Sequence, residues 1–371
     1  MISVFGSKVG KEELNEIKTS IENQWIGIGP KTELFEKKFS ERLKLKDFLL
    51  LDSGSNALYL AIKLLNLPKG SEIILPSFTW ISCATAIILN GCIPVFCDVD
   101  LETQNITAEY IEPRLYDKVK AIMVVHYAGL PVDMAEIKEF KLPIIEDAAH
   151  AVDSKIGNKY CGSIGDIGIY SFDGVKNLAI GEAGGLTAQN PELVARGRKL
   201  RYCGIEKSGF QTSATKDRWW EYNVVDFMFK MVPDDISASI GLAQLRKLNR
   251  LQKRRKQIWN IYQERFCSLD WLINPLEIGP YQHSYFTYFI RLKNNRRDEL
   301  ARYLLDNGIY TTLRYQPLHL MSIYKSSHLH LQNCSKLNDT GLNIPLHPNL
   351  SNRNVEYIAD KIKQFGKENM L

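Results

Sequence analysis

The stretch IIEDAAHAVDSKIGNKYCGSIGDIGIYSFDGVKNLAIGEAGG, residues 144–185, constrains this chain more than any other. It opens with an apolar run ending on Glu146 and Asp147, and it closes with Lys176 flanked by Ser171, Gly181, Gly184 and Gly185. An apolar strand that stops on an acid aims that carboxylate at the sheet edge, where α/β folds bind cofactors. A lysine between a serine and small residues lies against a bound phosphorylated ring with little to obstruct it. An aspartate to pair with a ring nitrogen and a lysine to form a Schiff base are a protein's two main levers on pyridoxal phosphate. The lysine amine must be deprotonated for this, which burial and nearby positive charge favour. Once released, it carries a proton between cofactor and substrate carbons.

A second stretch supplies what the phosphate of such a ring needs. The apolar strand 48–51 runs into Asp52-Ser53-Gly54-Ser55-Asn56 and then into the helical pattern ALYLAIKLL. Free N–H groups and the positive end of a helix attract an anion there, and the hydroxyls donate. Read singly, each feature has an ordinary structural reading. Ser53 and Asn56 are common helix caps, Asp147 caps a helix before AAHAV, Lys176 is a surface lysine, and Trp80 is a core aromatic. Their joint occurrence favours the cofactor reading.

The motifs EDAAH, GSIGDIGIYSF and KNLAIGEAGG stand in the order and spacing of the DegT/DnrJ/StrS sugar aminotransferases, which the chain resembles from Trp25 to about Phe365. The resemblance implies an α/β, fold-type-I enzyme dependent on pyridoxal 5'-phosphate: a large domain with a mostly parallel sheet between helices, then a smaller C-terminal α/β domain. It implies that Lys176 and Asp147 are catalytic and that Ser53, Gly54 and Ser55 hold the phosphate. Ser55 stands where the family has threonine. Trp80 would stack on the pyridine ring, His150 would contact its phenolic oxygen, and Ser171 would line the site beside Lys176. Lys230 would reach the cofactor phosphate of a neighbouring subunit in a homodimer with shared sites. Val232, where the family has arginine, and Ala183, where it has glycine, depart from the pattern. RYQPLHL, 314–320, matches a segment in which Arg314 replaces a common histidine and in which Tyr315 and His319 would line the sugar site. Trp25 to Pro30 is expected near the active site, and His126 reads as a structural residue ending a strand near the cofactor.

A branch of the family that dehydrates its substrate replaces the lysine by histidine, so Lys176 implies transamination, from glutamate to a nucleotide-linked 3- or 4-keto-6-deoxy sugar. The product would serve surface polysaccharide, such as lipopolysaccharide O-antigen, or glycosylated metabolites. A cyclitol ketone as acceptor and a cofactor-binding regulatory protein without turnover are the alternatives. A nicotinamide oxidoreductase is disfavoured because no GxGxxG follows an early strand.

With 371 residues, two domains are expected, 1–245 and 246–371, with a long helix at the junction. A net charge of +5 is mild, and the basic cluster 253–257 lacks interleaved aromatics, so it reads as a solvated helix face rather than a nucleic-acid site. Seven scattered cysteines form no CxxC pair and suggest free thiols in a reducing compartment. No apolar run reaches membrane-spanning length, no metal-ligand spacing occurs, and a cytoplasmic enzyme is expected. Helices are expected over 11–24, 31–44, 107–116 and 191–204 and strands over 93–100, 119–126, 283–292 and 309–315, with a polar loop, 206–218, that is mobile and faces substrate.

Overall fold

Short apolar runs that alternate with helical patterns fold into one seven-stranded sheet. The computed structural model describes residues 1–206, 218, 220–324 and 329–370. The strands are β1 (Leu49–Leu51), β2 (Glu72–Pro76), β3 (Ile93–Cys97), β4 (Val119–Val125), β5 (Ile144–Asp147), β8 (Ile167–Ser171) and β9 (Gly184–Ala188), in the order β1-β9-β8-β5-β4-β2-β3. Only β9 runs against its neighbours. Strands β1, β2, β5 and β8 are buried throughout, as expected of a sheet covered on both faces. Between β5 and β8 the chain makes two short strands, β6 (Lys155–Ile156) and β7 (Lys159–Tyr160).

The register decides what the sheet presents. Val125, Asp147 and Ile169 lie level across β4, β5 and β8, and Ser171 pairs with Gly184 on β9. The carboxyl ends of the parallel strands therefore open on one edge, the place where such folds bind ligands. Helices α1 (Lys11–Glu22) and α2 (Pro30–Leu43) pack on the long helix Asp235–Phe266. The Asp235 carboxylate accepts from the Lys31 and Thr32 amides and the Thr32 hydroxyl, closing the α2 N-terminus.

The long helix changes partners along its length. Ala238, Leu242 and Leu248 pack with Phe35, Phe39 and Phe172, whereas Ile258, Trp259, Tyr262 and Phe266 pack into a second core with Tyr288, Ile358 and Phe365. That core covers an antiparallel sheet of β10 (Leu272–Ile273), β12 (Tyr288–Leu292) and β13 (Gly341–Ile344). A short strand β11 (Tyr281–Gln282) joins β6 and β7 instead. We propose the domain boundary within the long helix, at residues 245 and 246. The first residues cross it, since Ile2 bridges to Ile309 and Phe5 stacks on Phe286.

Several elements differ from their sequence reading. Residues 309–315 form no strand, only isolated bridges from Ile309 to Ile2 and from Thr312 to Asn343. The helix expected over 107–116 is a single turn, Ala108–Ile111, tightened to a 3₁₀ turn at Pro113, which cannot continue the hydrogen-bond ladder. The basic cluster is not wholly a solvated face. Lys253 and Lys256 are exposed, but Arg255 is buried and donates to the carbonyls of Tyr285, Phe286 and Leu346, because the second core wraps that side of the helix. The expected polar loop lies outside the described residues except for its ends, Glu206 and Arg218. All seven cysteines are unpaired, and no helix of the described residues is long and apolar enough to cross a membrane.

Candidate active site

A cavity of about 370 Å³ opens at the carboxyl edge of the sheet, bounded by the ends of β4, β5 and β8. Asp147, the last residue of β5, is buried in its wall. One carboxylate oxygen accepts the Ala149 amide at 2.9 Å, and the other accepts the Cys83 thiol at 3.2 Å. Burial and the neighbouring carboxylate push the Cys83 thiol well above its ordinary range, so it stays a donor. Its sulfur also lies 3.3 Å from the Thr79 hydroxyl.

Lys176 sits in the turn after β8. The Asp173 carboxylate accepts the Val175 amide and the Asp173 carbonyl accepts the Lys176 amide, a locally specified bend that turns the lysine back over the strand ends. The ammonium group lies 4.9 Å from the centre of the Phe286 ring. Among the described residues no carboxylate comes within ion-pair distance of it. Burial first, and then the Arg314 guanidinium, lower its pKa to about 8, against an opposing pull from Asp147, Asp173 and Cys83. A fraction of the amine is thus unprotonated near neutral pH.

Helix α3 (Gly54–Leu65) starts at the same edge. Ser53 caps it, its hydroxyl accepting the Asn56 amide at 3.1 Å, and the Ser55 hydroxyl is 2.7 Å from that of Ser82. The first-turn N–H groups of Gly54 and Ser55 have no helical partner and are free for an anion. This start is seated tightly against the sheet. A Cβ on Gly54 would come 2.8 Å from the Ser171 Cβ, and one on Gly184 would come 2.3 Å from the Gly54 nitrogen.

His150 stacks on Phe286 at 4.1 Å and 16°, and its Nε2 is 3.0 Å from the Tyr315 hydroxyl. Its Nδ1 is buried with no partner among the described residues. Burial, Lys176 and Arg314 hold the ring well below the usual histidine range, so it is neutral. Trp80 is half exposed at the mouth, 5.3 Å from the Tyr315 ring.

The cavity thus brings together Ser53, Gly54, Ser55, Trp80, Asp147, His150, Ser171 and Lys176, with Arg314 and Tyr315. Lys230 lies elsewhere, exposed, with its ammonium 5.6 Å from the Tyr202 ring. Trp25 to Pro30 is also outside this chain's cavity. His319 is buried with Nδ1 2.7 Å from the Ser77 hydroxyl, and His126 is buried between Glu146, at 2.8 Å, and the Val132 amide. Sequence reasoning passed over Thr79, Ser82 and Cys83. Their only signal was adjacency to Trp80, with Cys83 one turn into the helix that follows.

These donors fit pyridoxal phosphate. An acid held by two donors, a partly deprotonated lysine, a helix start cleared of Cβ atoms and an orphaned imidazole nitrogen converge on one cavity. The chain matches the DegT/DnrJ/EryC1/StrS aminotransferase family over residues 7–363. It is 35% identical to the dTDP-4-dehydro-2,3,6-trideoxy-D-glucose 4-aminotransferase of Saccharopolyspora spinosa, over 98% of this chain and 96% of that one. The aminotransferase TlmJ of Streptoalloteichus hindustanus superposes with a TM-score of 0.94 at 36% identity, covering 100% of both chains. A putative sugar aminotransferase of Streptococcus pneumoniae, in its PMP form, superposes at 0.93 with 26% identity, over 99% of this chain and 100% of that one, and the same protein is known in a PLP form.

Proposed function

Since the chain belongs to the DegT/DnrJ/EryC1/StrS aminotransferase family and is a pyridoxal-phosphate-dependent aminotransferase of fold type I, we propose that it aminates a nucleotide-linked 3- or 4-keto-6-deoxy sugar with glutamate as donor. The relative from Saccharopolyspora spinosa acts on a 4-dehydro sugar, which favours the 4-keto position. Glutamate leaves as 2-oxoglutarate, and its amino group replaces the carbonyl oxygen of the sugar. The amino sugar would enter surface polysaccharide or a glycosylated metabolite, made in the cytoplasm by a homodimer.

Bound pyridoxal phosphate supplies the electron sink for breaking the donor's C–H bond. The residues do the rest. Lys176 would hold the ring, and its free amine would take the proton from the donor's α-carbon and return one to the sugar carbon. Asp147, whose orientation Cys83 and the Ala149 amide fix, would accept the ring N–H and keep that nitrogen protonated. The start of α3 and the hydroxyls of Ser53, Ser55 and Ser171 hold the phosphate. Trp80 covers one face of the ring. His150, neutral and with Nδ1 free, offers a hydrogen bond to the phenolic oxygen.

The observation that carries this reading is the convergence of Asp147, Lys176 and the α3 start on one cavity. The test is the visible spectrum of the holoenzyme before and after glutamate, with Lys176→Ala as control, followed by mass analysis of the sugar product. Glutamate should convert the lysine-bound spectrum to the pyridoxamine form in the wild type alone, and a keto-sugar should then restore it. A wild-type spectrum indifferent to every amino donor would defeat the proposal.

A further inference from the structure

An aminotransferase that accepts glutamate must recognise an α-carboxylate on the very carbon whose amine reacts, so a cation has to stand near Lys176. The described arginines that are buried or half-buried in the fold are mostly committed. Arg42 pairs with Asp153, Arg198 and Arg201 with Glu36, Arg265 with Glu356 and Arg291 with Glu102, while Arg255 serves three backbone carbonyls. Arg314 differs. It lines the active-site cavity, and among the described residues no carboxylate lies within ion-pair distance of it.

Arg314 is also held in place. Its amide donates to the Asn343 side chain at 2.7 Å, and its carbonyl accepts the Tyr127 hydroxyl. Its guanidinium lies 3.7 Å from the centre of the Phe5 ring, and Phe5 stacks on Phe286. The Phe286 ring has the Lys176 ammonium 4.9 Å from its centre and the Arg314 guanidinium 5.8 Å from it, so the two cations share one aromatic surface. A guanidinium stacked on a ring keeps its N–H edge free in its own plane, the geometry that grips a carboxylate with two hydrogen bonds. The Tyr315 hydroxyl takes one hydrogen bond from that edge, and no acid of the cavity pairs with it: Asp147 accepts the Cys83 thiol and the Ala149 amide, Asp173 accepts the Val175 amide, and Glu182 is exposed at the mouth.

We infer that Arg314 binds the α-carboxylate of the amino donor, an inference that rests on the glutamate-dependent reading above. It makes Arg314 a donor-specificity residue whose carboxylate contact the sugar half of the reaction does not use. It also predicts discrimination at one end of the donor: glutamate's α-carboxamide, isoglutamine, should be rejected through Arg314.

The test separates the two half-reactions in the holoenzyme, using wild type, Arg314→Gln and Arg314→Lys. Binding of the unreactive dicarboxylate glutarate, followed by calorimetry, supplies a readout independent of turnover. Arg314→Gln should weaken glutarate and raise the KM for glutamate by roughly 30- to 300-fold, as expected when one member of a buried charge pair is truncated. Arg314→Lys should recover part of that. The wild-type preference for glutamate over isoglutamine should vanish in Arg314→Gln, and the affinity for the nucleotide-linked amino sugar should stay within about threefold of wild type. The inference is overturned if glutamate still reduces wild type and Arg314→Gln with equal KM, or if the loss falls on the nucleotide sugar instead. A wild type inert to all donors would overturn the functional reading itself. Thermal melts and the retained cofactor spectrum of Arg314→Lys separate either result from misfolding.

Discussion

Enclosing a lysine costs stability unless its charge is removed, and Lys176 shows the sign of that cost. Its pKa falls from 10.5 unfolded to about 8 folded. Between those values the unfolded chain holds a proton that the folded chain lacks, so stability rises with pH through that window and is lowest below pH 8. The displacement corresponds to roughly 3 kcal/mol at pH 7. In cofactor-stripped protein, Lys176→Met should therefore raise the unfolding free energy at pH 7 by up to about 3 kcal/mol and confer little above pH 10.5. Urea titrations at the two pH values measure this, and an equal effect at both would show that charge burial is not the cause. At Asp147 we expect Asp147→Asn to keep the fold, since asparagine still accepts the Ala149 amide, but to slow the glutamate half-reaction by 10²-fold or more, on the order of a general acid–base loss. Single-turnover spectra check it. Which residues face the cavity was largely legible, because most end a strand, begin a helix or, like His150 and Lys176, follow a strand end within a contiguous motif. The partner of Asp147 was not. Cys83 is 64 positions away, and only the packing of α4 (Ile81–Leu89) against the sheet brings the thiol to the carboxylate.

Among elements, the start of α3 carries the most constraint per residue. Seating a helix N-terminus directly on the ends of β8 and β9 requires three backbones to meet without side chains, and Gly54 and Gly184 supply that clearance. Gly184→Ala has no relief, because its Cβ would meet backbone atoms of Ser53 and Gly54 at 2.4 and 2.3 Å. It should displace the helix start, lower the melting temperature and weaken pyridoxal phosphate together. Ser53→Ala makes the gentler case. Losing the cap should cost about 1 kcal/mol of stability, with the Asn56 amide left unsatisfied. Cofactor affinity by fluorescence quenching, read beside the melts, distinguishes a lost cap from a lost phosphate contact. The alternation of strands and helices around this edge was readable from apolar runs and punctuation. Residues 309–315 were misread because β-branched and aromatic alternation reports only that a strand is possible. Whether a neighbour pairs with it is settled by distant segments, here the single residues Ile2 and Asn343.

At the scale of the whole molecule, several large apolar side chains are exposed outside the cavity. Trp25, Ile26, Tyr222, Val224, Phe227 and Phe229 are all exposed, Phe227 at 93%. A surface of this kind is expected where another subunit docks, which supports the proposed homodimer. Lys230 belongs to the same exposed segment and is absent from its own chain's cavity. If it completes the phosphate site of the partner subunit, two separately defective chains should repair one another. A Lys176→Ala chain has an intact Lys230 but no reactive amine, and a Lys230→Glu chain has the amine but repels the partner's phosphate. In a mixed dimer, the site built on the second chain's Lys176 receives the first chain's Lys230 and is whole. Refolding the two variants together in equal amounts should then restore about a quarter of the wild-type sites, since half of the dimers are mixed and each carries one whole site. Refolding either alone should restore almost nothing. If Lys230 acted only within its own chain, each site of a mixed dimer would lack one group and mixing would recover no activity.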